Sequence, residues 1–135
     1  MRSIRGKCLC GKVTAEVTAP PLWVGHCHCP SCRKATSAAF ATYAGFPVSH
    51  VHFRGAAPKA FRSSPGVWRR FCGECGSPVS FEGERWPDEI HLHVGFMDEP
   101  ERFVPTGETY VSARLSWARL QATLEGCDTF TADLS

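Results

Sequence analysis

The chain has 135 residues, 43% hydrophobic and 21% charged, which is the composition of one globular domain and excludes a disordered chain. Its formal net charge of +2 is too small to mark a nucleic acid or an anionic membrane surface as a partner. No apolar run approaches the roughly 20 residues of a membrane span, and the start "MRSIRGKCLCGKV" lacks the apolar core and cleavage site of a secretory signal. A soluble cytoplasmic protein with reduced cysteines is expected.

The pattern along the chain is mostly β. Cys8 and Cys10 in "CLC" are expected at positions i and i+2 of a first strand, on one face. "KVTAEV" alternates Val13, Ala15 and Val17 with Thr14 and Glu16, the period of a half-buried strand. "GHCHCPSCRK", residues 25–34, reads as a loop around a Pro-Ser turn, with a helical turn or two in "SCRKATSAAF". Phe40, Tyr43 and Phe46 are expected to pack a sheet that follows. "VHF" at 51–53 is a strand, and "RGAAPKAFRSSPG" at 54–66 is read as a flexible loop. "VWRRF" at 67–71, "PVSFEG" at 78–83 and "EIHLHVG" at 89–95 are further strands. In the last of these, Ile90, Leu92 and Val94 point to the core, and His91 and His93 away from it. "DEPERF" can form a short turn, and "ARLSWARL" is compatible with a strand or with irregular backbone. Ten prolines and twelve glycines cut the chain into these short pieces. The expected fold class is mainly β with little helix, in a single domain over residues 1–135.

Eight cysteines are many for such a chain. In a reducing compartment, clustered cysteines point to metal or catalysis before disulfides. "FCGECGSP" is a knuckle: the tight turn aims Cys72 and Cys75 at one ion, and its glycine frees amides to bond sulfur. A structural zinc needs four ligands, and Cys8 and Cys10 supply the other two. The alternative, a redox C-x-x-C, needs a helix after its first cysteine, and "GECGSPVSF" is not helical. Cys27, Cys29 and Cys32 then remain. Three thiolates with a free fourth position is the arrangement of a catalytic zinc, where an incoming thiol is held as an activated thiolate. His28 could instead close that site as a second structural zinc. His26 and His28 could otherwise orient a cysteine, move a proton or lie on a strand face. Arg33 and Lys34 either hold a substrate carboxylate or sit on a solvated turn. Three thiolates on Zn²⁺ leave a charge of −1 and a fourth makes it −2, so Arg33, Lys34, Arg69 or Arg70 is expected to face this site. Trp23, Trp68, Trp86 and Trp117 read as core and rim packing. Cys127 reads as an ordinary thiol.

"GKCLCGKVTAEV", "HCHCPSCRKATSAAF", "FCGECGSPVSF", "VGFMDEPERFVP" and the segment around Trp117 resemble the glutathione-dependent formaldehyde-activating enzyme family, also called the centromere protein V/GFA (CENP-V/GFA) domain family. The resemblance runs from about Arg5 to Glu125. It implies a zinc-stapled fold of coiled β-sheets, a β-tent. It places a structural zinc on Cys8, Cys10, Cys72 and Cys75 and a catalytic zinc on Cys27, Cys29 and Cys32. The implied reaction joins the thiol of glutathione to formaldehyde, giving S-(hydroxymethyl)glutathione, a carbon-sulfur lyase in the reverse direction. The implied partner is a small thiol, with no nucleic acid and no membrane. Ser37 stands where the family pattern commonly has glycine. The centromere branch implies the alternative of a zinc-stapled binding module without catalysis, which a closed second site would favour.

Overall fold

The alternation in "VTAEV" is a strand in the structure, a computed structural model that describes residues 2–119 and 124. Val13, Ala15 and Val17 are buried, and Thr14 and Glu16 face outward. The strands in chain order are β1 (Ile4–Lys7), β2 (Val13–Val17), β3 (Trp23–Cys27), β4 (Ala41–Pro47), β5 (Val51–Gly55), β6 (Lys59–Ser64), β7 (Val67–Phe71), β8 (Pro78–Gly83), β9 (Glu89–His93) and β10 (Gly107–Thr109). One α-helix among the described residues, α1, spans Pro30–Thr36. A small sheet has the order β1-β2-β5, and a seven-stranded sheet the order β10-β3-β4-β9-β8-β7-β6. All pairings are antiparallel except β10 with β3. The architecture is mainly β, as expected.

Residues directly opposite on paired strands share a face. The register pairs Ala44 with Leu92 and Phe46 with Ile90, so these four face one way. They meet Ile4, Val13, Ala15 and Val17 of the small sheet in the main core, together with Val79, Phe96, Met97 and Phe103. The register also pairs Tyr43 with His93, Phe81 with His91 and Arg69 with Phe81. These residues form the other face of the large sheet, away from the small one. His91 is nonetheless buried, so β9 is covered on both faces.

Three readings of the sequence are corrected. "CLC" is not part of a strand: β1 ends at Lys7, and Cys8 to Gly11 form a turn in which Gly11 N–H donates to the Cys8 carbonyl at 3.0 Å. Gly11 has φ +80°, a conformation glycine adopts without strain. The stretch 54–66 is not a flexible loop, because it contains β6, paired along β7 as the edge of the large sheet. The stretch 25–34 is not only a loop, since β3 enters it; the helical turn expected in "SCRKATSAAF" is there as α1. "DEPERF" makes its short turn at Pro100–Arg102. "ARLSWARL" is irregular as far as Arg119, after a helical turn at Val111–Ala113. Cys127 lies outside the described residues. No helix among the described residues is long and apolar enough to cross a membrane.

Ser37 ends α1 in the left-handed region, at φ 52° and ψ 37°. An L-residue pays about 1 kcal/mol there, which glycine avoids at some cost in chain entropy. Ser37→Gly is expected to raise the melting temperature by about 2–4 °C, near 0.5–1 kcal/mol. An unchanged or lower melting temperature in a thermal scan would show that the serine is not strained.

Candidate metal centres

The first cluster joins two turns. Cys8 and Cys10 come from the β1–β2 turn, and Cys72 and Cys75 from the β7–β8 turn. All four sulfurs lie within 4.8 Å of one another. Cys8 Sγ is 3.6 Å from Cys10 Sγ, which is 3.7 Å from Cys72 Sγ. A tetrahedral zinc with bonds of about 2.3 Å sets its sulfurs about 3.8 Å apart. A disulfide needs about 2 Å. The donor set therefore fits zinc and not a disulfide.

Backbone amides turn toward the sulfurs as the knuckle predicts. Val13 N–H donates to Cys8 Sγ at 3.3 Å, and the Glu74 and Cys75 amides donate to Cys72 Sγ at 3.4 and 3.5 Å. Gly76, at φ +77°, closes the turn onto the Cys72 carbonyl at 2.8 Å. Ser77, which the sequence reading missed, links the halves. Its hydroxyl accepts from Leu9 N–H at 3.0 Å and lies 3.1 Å from Cys75 Sγ. Hydrogen bonds from the Ser77 hydroxyl and amide hold the Cys75 thiol down to about 5, so this thiolate exists at neutral pH. Cys8 and Cys72 are buried in the main core.

The second cluster is local. Cys27 ends β3, Cys29 caps α1, and Cys32 is buried in the first turn of that helix. Pro30 suits the first helical position, where no amide is needed. Cys29 Sγ accepts from Cys32 N–H at 3.2 Å. The three sulfurs again lie within 4.8 Å of one another. Cys32 Sγ sits 3.4 Å from the Tyr43 hydroxyl and 3.7 and 3.8 Å from the two terminal nitrogens of Arg69. The hydrogen bond with Cys27, helped by Tyr43 and Arg69, brings the Cys32 thiol down to about 7. The same bond pushes the Cys27 thiol up. Of Cys27 and Cys32, Cys32 is thus the one that first carries charge, and bound metal favours thiolate on its ligand sulfurs.

His28 does not join them. Its ring is fully buried, and Nε2 lies 2.9 Å from the Glu108 carboxylate. Glu108 in turn pairs with Arg114 at 2.9 Å. His26 stays on its strand, with Nδ1 2.8 Å from the Thr42 hydroxyl. Arg33 donates to the carbonyls of His28 and Ala113 at 2.6 and 2.7 Å, so it ties the metal loop to the segment after β10. Lys34 is exposed. Arg70 pairs with Glu82. Of the four basic residues expected near this cluster, Arg69 is the one that reaches a ligand sulfur.

The aromatic residues cover the same outer face. Tyr43 packs on His93 at 4.6 Å between ring centres. His91 lies between Trp23, Phe81 and Trp86 at 4.6, 5.5 and 5.3 Å. Trp23 Nε1 donates to Glu89 at 2.9 Å, and its ring lies over Gly45, where a Cβ would stand 2.3 Å from Nε1. Trp117 is exposed. A cleft of about 220 Å³ beside this face has Ala35, Phe61, Arg69 and His93 in its wall. Burial, and then the Arg69 charge, push the His93 imidazole down to about 4, so it is neutral at pH 7.

Two sheets that share a core, with two cysteine groups that could each hold a metal ion, define a small mainly β protein. The chain belongs to the family described as glutathione-dependent formaldehyde-activating enzyme, whose sequence model matches residues 3–113. A Halomonas elongata protein named "Putative glutathione-dependent formaldehyde-activating enzyme" is 29% identical over 113 residues, covering 73% of this chain and 71% of that one. A Rhodobacter sphaeroides protein of known crystal structure superposes with a TM-score of 0.65 at 21% identity, covering 78% of this chain and 99% of that one. That likeness shows a shared fold.

Proposed function

We propose that the chain is a zinc-dependent enzyme of the carbon-sulfur lyase type. It joins a low-molecular-weight thiol, such as glutathione, to a small aldehyde such as formaldehyde. The observation that carries the reading is the ligand count at Cys27, Cys29 and Cys32. Three protein sulfurs converge there, and His28, the nearest candidate for a fourth, does not bring a ring nitrogen within 4.8 Å of all three: Nε2 meets Glu108, and the buried Nδ1 has no hydrogen-bond partner. Cys8, Cys10, Cys72 and Cys75 form the complete set of a structural zinc. Zinc held by Cys27, Cys29 and Cys32 would supply a Lewis acid able to lower the pKa of a bound thiol.

The chain's own residues prepare the rest. Arg69 offsets the charge gathered on Cys32 and its neighbours. Tyr43, Phe81 and the aromatic residues around His91 keep water from that face of the sheet. Arg33 and the His28–Glu108–Arg114 chain fix the loop that carries Cys29. His93 keeps a neutral ring at the cleft, able to pass a proton. In the reaction the thiol loses its proton, a sulfur–carbon bond forms, and the former carbonyl oxygen gains a proton. Reduced thiols of this kind suit the cytoplasm, where the whole of residues 1–135 works as one domain.

Metal content and cobalt spectra test this. Purified protein is expected to hold two metal ions per chain. After Co²⁺ replacement, glutathione is expected to change the sulfur-to-metal charge-transfer bands. Bands that ignore every thiol would mean a closed site, and the binding-module reading would replace the enzyme.

A further inference from the structure

We propose that Arg69 is the oxygen-binding residue of the second cluster, receiving an oxygen anion that stands two or three bonds from the thiol sulfur. In the reaction that anion is the oxygen left when a thiolate adds to an aldehyde; a carboxylate is its stable counterpart. The inference rests on the thiol-aldehyde reading of this site.

The guanidinium is held in place from three sides. Nε donates to the Ser63 hydroxyl at 3.1 Å, which fixes the plane. Nη1 lies 3.4 Å from the Tyr43 hydroxyl. The Phe81 ring supports the group at 5.1 Å. Its terminal nitrogens stand at 3.7 and 3.8 Å from Cys32 Sγ, long contacts that leave N–H donors to spare. Its neighbour Arg70 is neutralised by Glu82, whereas Arg69 makes no ion pair among the described residues. Arg69 also lines the cleft that holds Phe61 and His93. The side chain therefore contacts Cys32 Sγ through its terminal nitrogens and also lines the cleft. A forked donor that is always charged and partly withdrawn from water is the group proteins use to bind oxygen anions.

The adding thiolate forms the sulfur–carbon bond with its own electron pair. The carbonyl π electrons move to oxygen, and Arg69 receives that oxygen until it is protonated. No oxidant or reductant is required.

The test uses the Co²⁺-substituted full chain and two probes, mercaptoacetate and ethanethiol, followed through the charge-transfer bands. The native protein is expected to bind mercaptoacetate at least about tenfold more tightly, the yield of one good charge-assisted hydrogen bond. Arg69→Gln is expected to bring that ratio near one while changing Co²⁺ affinity, measured by chelator competition, less than about threefold. Arg69→Lys keeps the charge and loses the fork, and its ratio should fall between the two. If Arg69→Gln weakens both thiols equally, keeps the native ratio or loses cobalt in parallel, the residue only offsets charge and the proposal is overturned. If the native protein responds to neither thiol, the thiol-aldehyde reading fails and takes this proposal with it.

Discussion

Cys72→Ser is expected to yield unfolded or insoluble protein. Cys72 is 1% exposed and belongs to both the main core and the first metal cluster. The cluster joins residues 62 apart in sequence, Cys10 and Cys72. A cross-link closing a loop of about 60 residues removes about 4 kcal/mol of unfolded-state entropy. Structural zinc in small domains binds with about 10–16 kcal/mol, and that energy is folding energy. A domain of this size has only about 5–15 kcal/mol of net stability. Losing one ligand also weakens the hold on the ion that keeps the other three crowded sulfurs as thiolates. Cys75→Ser should behave the same way, and a strong chelator should unfold the native chain. Circular dichroism and metal content provide the check. A Cys72→Ser variant that melts at the native temperature would remove the structural role from this cluster.

The knuckle was readable because its information is local: Cys72, Cys75 and Gly76 set the turn by themselves. Its partner cysteines were readable by counting ligands, yet their backbone was not. Four sulfurs can converge from two turns as well as from a turn and a strand, and Gly11 was the signal for the turn. Strand β6 was missed because, as an edge strand, it leaves nearly all its residues exposed and shows no alternation. His91 was read correctly as pointing away from the main core, but alternation cannot show that a second layer covers that face. The second cluster shows the same division. Its sulfurs lie within six residues and are plain in the sequence. The groups around them are not. Tyr43 is 11 positions from Cys32, Arg69 is 37, and Glu108 is 80 from His28. Charge bookkeeping could narrow the cation to four candidates, but only the register of β7 against β8, which sets Arg69 beside Phe81, selects one. The likeness to the enzyme family covered most of the chain and agreed with both clusters, since cysteine spacing carries both signals.

Cys29→Ser is expected to remove the second metal and the activity while leaving the fold in place. The contrast with Cys72 follows from loop length. Cys27 to Cys32 closes only six residues, about 2 kcal/mol of chain entropy against about 4 for the first cluster. The choice among the three ligands also matters. Cys32 is buried and touches Tyr43 and Arg69, so replacing it disturbs packing as well as metal binding. Cys27 ends β3 and pairs with Ala41. Cys29 caps α1, and its sulfur accepts the Cys32 amide. Serine is among the best residues for that cap, so the substitution deletes a ligand and keeps the helix start. Metal content should fall from two ions per chain to one, activity should drop to background, and the melting temperature should fall by less than about 10 °C, or about 2–3 kcal/mol. Cys27→Ser and Cys32→Ser should lose the same ion. Collapse of the Cys29→Ser fold comparable to that of Cys72→Ser would show that both clusters hold the structure. Full activity with one metal per chain would show that the chemistry does not need the three-cysteine cluster.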